Sequence, residues 1–357
     1  MKRIKLLTRD DFEAYAAFRE RMWPTYAVGG DWETIEQKYY RNPHAIPCTG
    51  SGLYAYFDSG DIVGVMGAYP MPITFEGVVH TGHMLVDFAV LPSYQLGLAF
   101  PTLLCELLAL PGRKYASCGK PDSQNALARI GIRIPAVTAA VFLHPFQALL
   151  LKGLNLMNYA LPSPLCAIPF SLPGRAESVP PHELQAATPA ELAHTAFVRR
   201  EADFWEVFIS GRLENGALSL RLLGERCRGS AVIKLLEVGP LRYGILLAFK
   251  AEPPTREAVG RLARSLRAAL HALKVCTLLA TEADGDIRAC LERVGLHVIR
   301  RPTHWWALPK PSDTFSAQDV RWWLTSADRD GYWGFGPPSI GSSGLGSLTR
   351  EYSCRSS

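Results

Sequence analysis

The chain has 357 residues, is 48% hydrophobic and 20% charged, and carries a formal net charge of +5. That length and apolar content can bury a substantial core and predict two domains rather than one; the modest, dispersed positive charge suits an anionic small ligand and lacks the concentrated basic face of a nucleic-acid binder. Eight cysteines without a Cys-x-x-Cys pair or metal-ligand spacing read as buried thiols in a reducing, cytoplasmic compartment, which excludes a disulfide scaffold and a cysteine metal site.

The first residues, Met1 to Leu7, have too short an apolar part for a signal peptide and predict a strand at Ile4 to Leu7. Thr8-Arg9-Asp10-Asp11 follows as an N-cap with acids in the first turn, opening an amphipathic helix to about Met22. A second helix is expected from Trp32 to Tyr40, capped by Asp31 and stopped at Asn42-Pro43. Leu53 to Phe57 and Ile62 to Tyr69 predict a hairpin around Asp58-Ser59-Gly60-Asp61. No apolar stretch reaches the roughly eighteen residues of a membrane span; the nearest approach, Val137 to Leu151, is broken by His144, Pro145 and Gln147.

The most informative segment runs from His83 to Gly131. An apolar strand, Met84 to Val90, carries one acid, Asp87, and leads through Pro92-Ser93-Tyr94-Gln95-Leu96-Gly97-Leu98-Ala99 into a helix from Phe100 to Leu110. Pro101 lacks an N–H and is tolerated only in a first turn, which fixes the helix start within a residue or two. A strand, a turn with small residues and a helix N-terminus together aim unpaired backbone N–H groups at one point, where the helix dipole favours an anion such as a phosphate. Lys114 to Cys118 predicts a further strand, and Ser123 to Gly131 a short helix ending on glycine.

Residues 84 to 131 resemble the acyl-CoA binding core of the GNAT acyltransferase superfamily: an apolar strand, Pro-x-Tyr-Arg/Gln-x-x-Gly-x-Gly/Ala, a helix, a strand, and Asn-x-x-Ala before a glycine turn. Gln95, Gly97 and Ala99 match the pyrophosphate turn, with one residue fewer between Gln95 and Gly97, and Asn125 and Ala128 match the later motif. The resemblance implies acetyl-CoA or another short acyl-CoA as co-substrate, no metal, and a cofactor site of Phe88, Ala89, Val90, Gln95, Leu96, Gly97, Leu98, Ala99, Phe100 and Asn125. The tyrosine that often serves the family as general acid has no counterpart before Gly131. Trp32 to Pro43, with Lys38-Tyr39 before Asn42-Pro43, resembles a region of long bacterial members acting on sugars.

The second half echoes this plan. Residues 162 to 182, rich in Pro and Ser, read as a linker. A helix is expected near Pro189 to Phe208, then strands at Leu218 to Leu222, Ala231 to Glu237 and Leu241 to Phe249, and a long helix, Thr255 to Leu273. Its apolar stripe of Val259, Leu262, Leu266 and Leu270 leaves Arg256, Arg261, Arg264 and Arg267 on a solvated face. A strand at Val275 to Ala280, a helix at Asp286 to Val294 and a strand at His297 to Arg301 complete it. The expected class is α/β (α+β), two tandem GNAT-like domains of mixed, mostly antiparallel sheets flanked by helices. The first occupies 1–160, a linker 161–182, and a second, degenerate domain without the phosphate turn 183–310. An aromatic-rich segment covers 311–335, and a Gly/Ser-rich tail, 336–357, is expected to be disordered.

Acyl transfer to an amine needs the free amine, a donor for the tetrahedral oxyanion and a proton acceptor. In the resembled family, backbone N–H groups beside splayed central strands supply the donor, here around Phe88 to Val90. Asp87, a carboxylate on an apolar strand, is either the base or a structural acid tied to a neighbouring loop. His83 is the second candidate base, set against a hydrogen-bonded structural histidine. Tyr94 either contacts substrate or packs over the turn, and Cys118 either approaches the thioester or is a buried hydrophobe. His304-Trp305-Trp306 and the run from Arg321 to Asp330 carry the side chains that stack on sugar rings; the same tryptophans serve equally to anchor the tail. These readings converge on an N-acyltransferase acting by direct attack on an amine, an amino sugar first. The alternatives are an aminoacyl-tRNA-dependent transferase, for which no basic groove is evident, and a non-catalytic CoA-binding module.

Overall fold

The structure, a computed structural model, describes residues 3–22, 31–117, 125, 127–143, 175–180, 195–198, 217–238, 241–282, 285–295, 297–308 and 321–323. Strand β1 (Arg3–Leu6) is followed by the cap expected at Thr8: its N–H and hydroxyl both donate to Asp11 Oδ2, at 3.0 and 2.9 Å. Helix α1 (Phe12–Met22) buries Tyr15 and Phe18. Helix α2 (Trp32–Ile35) starts on Asp31, which accepts from the Thr34 N–H, and continues as a π-helical turn, Glu36–Tyr40. The hairpin β2 (Gly52–Asp58) and β3 (Asp61–Pro70) turns through Ser59 and Gly60, both at positive φ, a conformation open to glycine at no steric cost.

Two short strands absent from the sequence reading, β4 (Ile73–Phe75) and β5 (Val78–His80), precede β6 (Gly82–Val90). Helix α3 (Ala99–Ala109), strand β7 (Arg113–Ser117) and the long β8 (Ile132–Phe142) follow. The second half supplies β9 (Arg175–Ser178), β10 (Thr195–Phe197), β11 (Ala217–Gly224), β12 (Cys227–Val238) and β13 (Leu241–Glu252). Helix α4 (Arg256–Ala272, capped by Thr255), β14 (Thr277–Glu282), α5 (Gly285–Val294), β15 (His297–Leu308) and β16 (Arg321–Trp323) complete it. On α4 the apolar stripe is buried, Arg256 and Arg264 are exposed, and Arg261 pairs with Glu257 and Glu225.

Twelve strands form one sheet in the order β1-β2-β3-β6-β7-β15-β8-β14-β13-β12-β11-β9. Within it β6/β7 and β13/β14 are parallel pairs, each joined through a helix, α3 or α4, and each ending an antiparallel meander. This is the repeated plan expected from the sequence. What was not expected is how the halves join. Strand β15 lies between β7 and β8, pairing Trp305 to Leu308 with Ser117 to Lys114, while β8 pairs β14 along Val137 to Phe142. Each half thus lends its last long strand to the other's sheet. An apolar cluster gathers Leu53, Met84 and Tyr115 with Val232, Ile245 and Leu279 and so spans both halves, while a second cluster packs Val259, Leu262 and Leu266 of α4 against Leu222, Ile233 and Leu278.

Three sequence expectations are corrected. Residues 175–178 of the expected linker form β9, antiparallel to β11 as the last strand of the sheet, with Ala176 packed against the apolar cluster beneath it. Residues 195–197, expected within a helix, are β10, held between β4 and β16 in a second sheet of order β16-β10-β4-β5, so tertiary pairing overrides local propensity. Arg321 to Trp323 of the aromatic segment is β16 in that sheet. The remainder of 311–335, all of 336–357, and Cys118 lie outside the described residues.

Candidate active site

Strand β6 runs to Val90, yet its pairing with β7 stops at Leu85↔Ala116. Residues 118–124, which follow β7, lie outside the described residues, so the pairing described on this side of β6 ends at Leu85. On its other side β6 stays paired with β3 through a bulge: Met66 alone lies between Val65↔Ala89 and Gly67↔Val86, opposite two residues, Asp87 and Phe88. Asp87 has φ 49°, the left-handed region that costs a residue with a Cβ about 1 kcal/mol. Past the bulge the Leu91 N–H donates to Val63 O at 2.9 Å, so ladder alternation turns the N–H and C=O of Val90 to the side of β6 away from β3. There the Val90 carbonyl accepts from Gln95 Nε2 at 3.3 Å.

Beyond Leu91 the chain makes a 3-10 turn, Pro92–Tyr94, and enters α3 at Leu98. Tyr94 is half-buried over the turn, whereas Leu96 and Leu98 are fully and largely exposed. The Gly97 N–H is not available to a ligand: it donates to Tyr94 O at 3.0 Å. The amides of Leu96, Leu98, Ala99 and Phe100 find no backbone acceptor among the described residues, and Pro101 has none to offer. A Cβ on Gly97 would meet Tyr94 O at 3.2 Å and Tyr94 C at 3.9 Å, so a side chain there would press on the backbone of the turn itself. Ala99 faces the core with Leu103 and Leu107, and Phe100 stacks on Phe88 with centroids 4.5 Å apart. Asn125 is helical and exposed.

Asp87 is engaged by residues that the sequence reading noticed without assigning a role. Lys38 Nζ and the Tyr39 hydroxyl both donate to its Oδ2, at 2.7 and 2.6 Å. Lys38 is buried, while the Asp87 side chain keeps 34% of its surface. These donors are consecutive, and the turn carrying them is π-helical, with the Arg41 N–H bonded to Glu36 O at 2.7 Å. Such a turn commonly marks a functional position. Tyr39 reaches the carboxylate by crossing Gly67, where a Cβ would overlap the phenol. Charge-assisted bonds on one oxygen stabilise the ionised carboxylate.

The remaining candidates are buried. His83 is 0% exposed, its Nε2 lying 3.3 Å from Cys48 O, beside the buried Lys114. Trp305 and Trp306 are buried in β15, at 0% and 7% exposure, and their indole N–H groups have no acceptor among the described residues. Of the two roles read for them, this burial fits anchoring of the strand. Among the described residues no His/Cys/Asp/Glu group has metal-binding geometry, and no helix is long and apolar enough to cross a membrane.

No family model and no curated protein matches the sequence. Solved structures do resemble it. A probable N-acyltransferase from Enterococcus faecalis superposes with TM-score 0.52 at 11% identity, covering 86% of this chain and 72% of that one. A GCN5-related N-acetyltransferase from Kribbella flavida gives 0.54 at 12%, covering 86% and 70%. The N-myristoyltransferase of Saccharomyces cerevisiae, solved with myristoyl-CoA and inhibitors, gives 0.55 at 8%, covering 90% and 86%. The chain has the fold of GCN5-related N-acetyltransferases. In that fold its two halves differ where it matters. The second half repeats the bulge, with Leu247 as the extra residue of β13, but Leu247 is 0% exposed and α4 starts at Thr255 without a glycine turn.

Proposed function

We propose that this chain is an acyl-CoA-dependent N-acyltransferase whose donor site lies in the first half. The observation that carries the reading is the convergence of two sets of backbone groups. The amides of Leu96, Leu98, Ala99 and Phe100, without a backbone acceptor among the described residues, gather at a helix N-terminus, and the Val90 N–H, on the side of β6 away from β3, lies a few residues before them. The first set suits the pyrophosphate of a coenzyme A thioester. The second, at Val90 and its neighbours, suits the amide-like pantetheine arm and the thioester carbonyl. Acyl-CoA as co-substrate also fits the myristoyl-CoA complex of the structurally similar yeast enzyme.

The reaction is direct transfer. The free amine attacks the thioester carbonyl and a β6 amide donates to the oxyanion; collapse breaks the C–S bond, and the proton lost by the nitrogen passes through solvent to the departing thiolate, so coenzyme A leaves as the thiol. We propose an acetyl or short acyl group and a small amine acceptor, an amino sugar first, on the sequence resemblance of the Trp32 to Pro43 region; the buried tryptophans lend the sugar no support.

Calorimetry of acetyl-CoA binding to wild type and Gly97→Trp tests the donor site. The indole would crowd the turn that carries these amides, and affinity should fall about 100-fold, near 3 kcal/mol, with the fold intact by circular dichroism. Unchanged affinity refutes the site. A free-thiol assay over amino sugars and peptide amines then identifies the acceptor.

A further inference from the structure

A bulge is a weakly specified piece of sheet, because a one-residue slip would restore regular pairing with β3 and turn every later side chain over. In the second half, burial removes that freedom: Leu247, the extra residue of β13, is enclosed by apolar neighbours and has no positive φ. The first half has no such option. At the corresponding place in β6, Phe88 is 42% exposed and Asp87 stands at φ 49°, a conformation that a Cβ disfavours.

Resting on the transferase reading above, we propose that Lys38 and Tyr39 are positioning residues for that reaction. By clamping Asp87 in its left-handed conformation they hold the β6 bulge, and with it the β6 amides that face the thioester. Four features meet in this device. Two donors from neighbouring residues converge on a single carboxylate oxygen. A π-helical turn sets the spacing that lets both reach it. The ammonium is buried, so it is held to its partner rather than exchanging with water. Gly67 leaves the passage through which the phenol crosses β3. On this reading Asp87 serves the backbone and takes no proton from substrate. Positioned amides act on the charge that develops during attack, so losing the clamp lowers kcat far more than it raises the KM for acyl-CoA.

The experiment compares two double variants, Lys38→Met/Asp87→Gly and Lys38→Met/Asp87→Ala. Both remove the ion pair and the buried ammonium together, so destabilisation from those losses is common to them. They differ in whether residue 87 adopts positive φ freely. If the clamp exists to hold the bulge, the glycine version turns over acetyl-CoA at least ten-fold faster than the alanine version, with the two KM values alike. Equal turnover overturns the proposal, because a proton-accepting carboxylate is absent from both. A second measurement needs no activity: hydrogen exchange at the amides of residues 88 to 90 without ligand. At least ten-fold greater protection in the glycine version is expected, and equal protection overturns the clamp. Should wild type release no thiol with any amine, the transferase reading fails, and the exchange comparison still decides the clamp.

Discussion

Gly67→Ala tests the structure at its tightest point. Gly67 is buried in β3 beneath the Tyr39 ring, and an added Cβ would overlap the phenol oxygen and lie 2.7 Å from Cζ and 3.0 Å from Cε1. Three ring atoms on one side cannot all yield by a few tenths of an ångström, so the ring must leave its place. Overpacking of this kind costs about 1–3 kcal/mol. Moving the ring also breaks the phenol's bond to the Asp87 carboxylate, a charge-assisted bond for which about 1.5–3 kcal/mol is typical. The expected total is about 3–5 kcal/mol. Gly64→Ala provides the control: its Cβ would meet Val90 Cγ2 at 3.1 Å and Leu103 Cδ1 at 3.4 Å, both ends of flexible side chains, and about 1 kcal/mol is expected. Urea denaturation of the two variants, with a double-mutant cycle against Tyr39→Ala, separates the contributions. In the Tyr39→Ala background the Gly67→Ala cost should fall to about 1 kcal/mol or less. Additive costs, within about 0.5 kcal/mol, would show that Tyr39 does not stand on Gly67 and would remove the steric basis of the clamp.

Three further outcomes are expected. Lys114→Met should lower stability by about 2–4 kcal/mol in urea, because Lys114 Nζ bonds the carbonyls of Leu110 and Gly112 at 2.7 Å and Pro111 at 3.2 Å beyond the end of α3, and methionine leaves those acceptors unpaired. Burial raises the pKa of Asp11, but the bonds from Lys5 and from the Thr8 N–H and hydroxyl outweigh it, and the carboxyl is held below its usual 3.8. A folded pKa below the unfolded one adds stability above the unfolded value that is lost as pH falls through the folded one. Denaturation below pH about 4 should therefore be less steep in Asp11→Asn than in wild type. Cutting the chain between residues 160 and 175 should give two pieces that co-purify when expressed together and are insoluble apart, since β8 and β15 each pair within the other half; a soluble, monomeric first piece would contradict the exchange.

The candidate site was legible in part. The turn at 95 to 99 was visible because a proline within a first turn and small residues at a helix mouth are local signals, fixed by backbone sterics within a few residues. Asp87 stood out as the acid on an apolar strand. Its partners Lys38 and Tyr39 carried a weaker mark, their place before Asn42-Pro43, and nothing local joins them to a residue nearly fifty positions away. His83, Trp305 and Trp306 were drawn into the site by residue type, whereas their burial depends on which strands cover them.

What the sequence determined by itself was the alternation of elements: caps at Thr8, Asp31 and Thr255, the hairpin turn at Ser59-Gly60, the stripe of α4, and the twice-repeated order of meander, helix and strand. These follow from hydrogen bonding and side-chain periods acting over a turn or two of chain. Only the tertiary structure decided that β8 and β15 change places, that 175–178 and 195–197 are strands, and that Lys38 and Tyr39 meet Asp87 at the bulge of β6. Strand partners are chosen by long-range closure of sheet edges and burial of one shared core, and neither leaves a period in the sequence to be read.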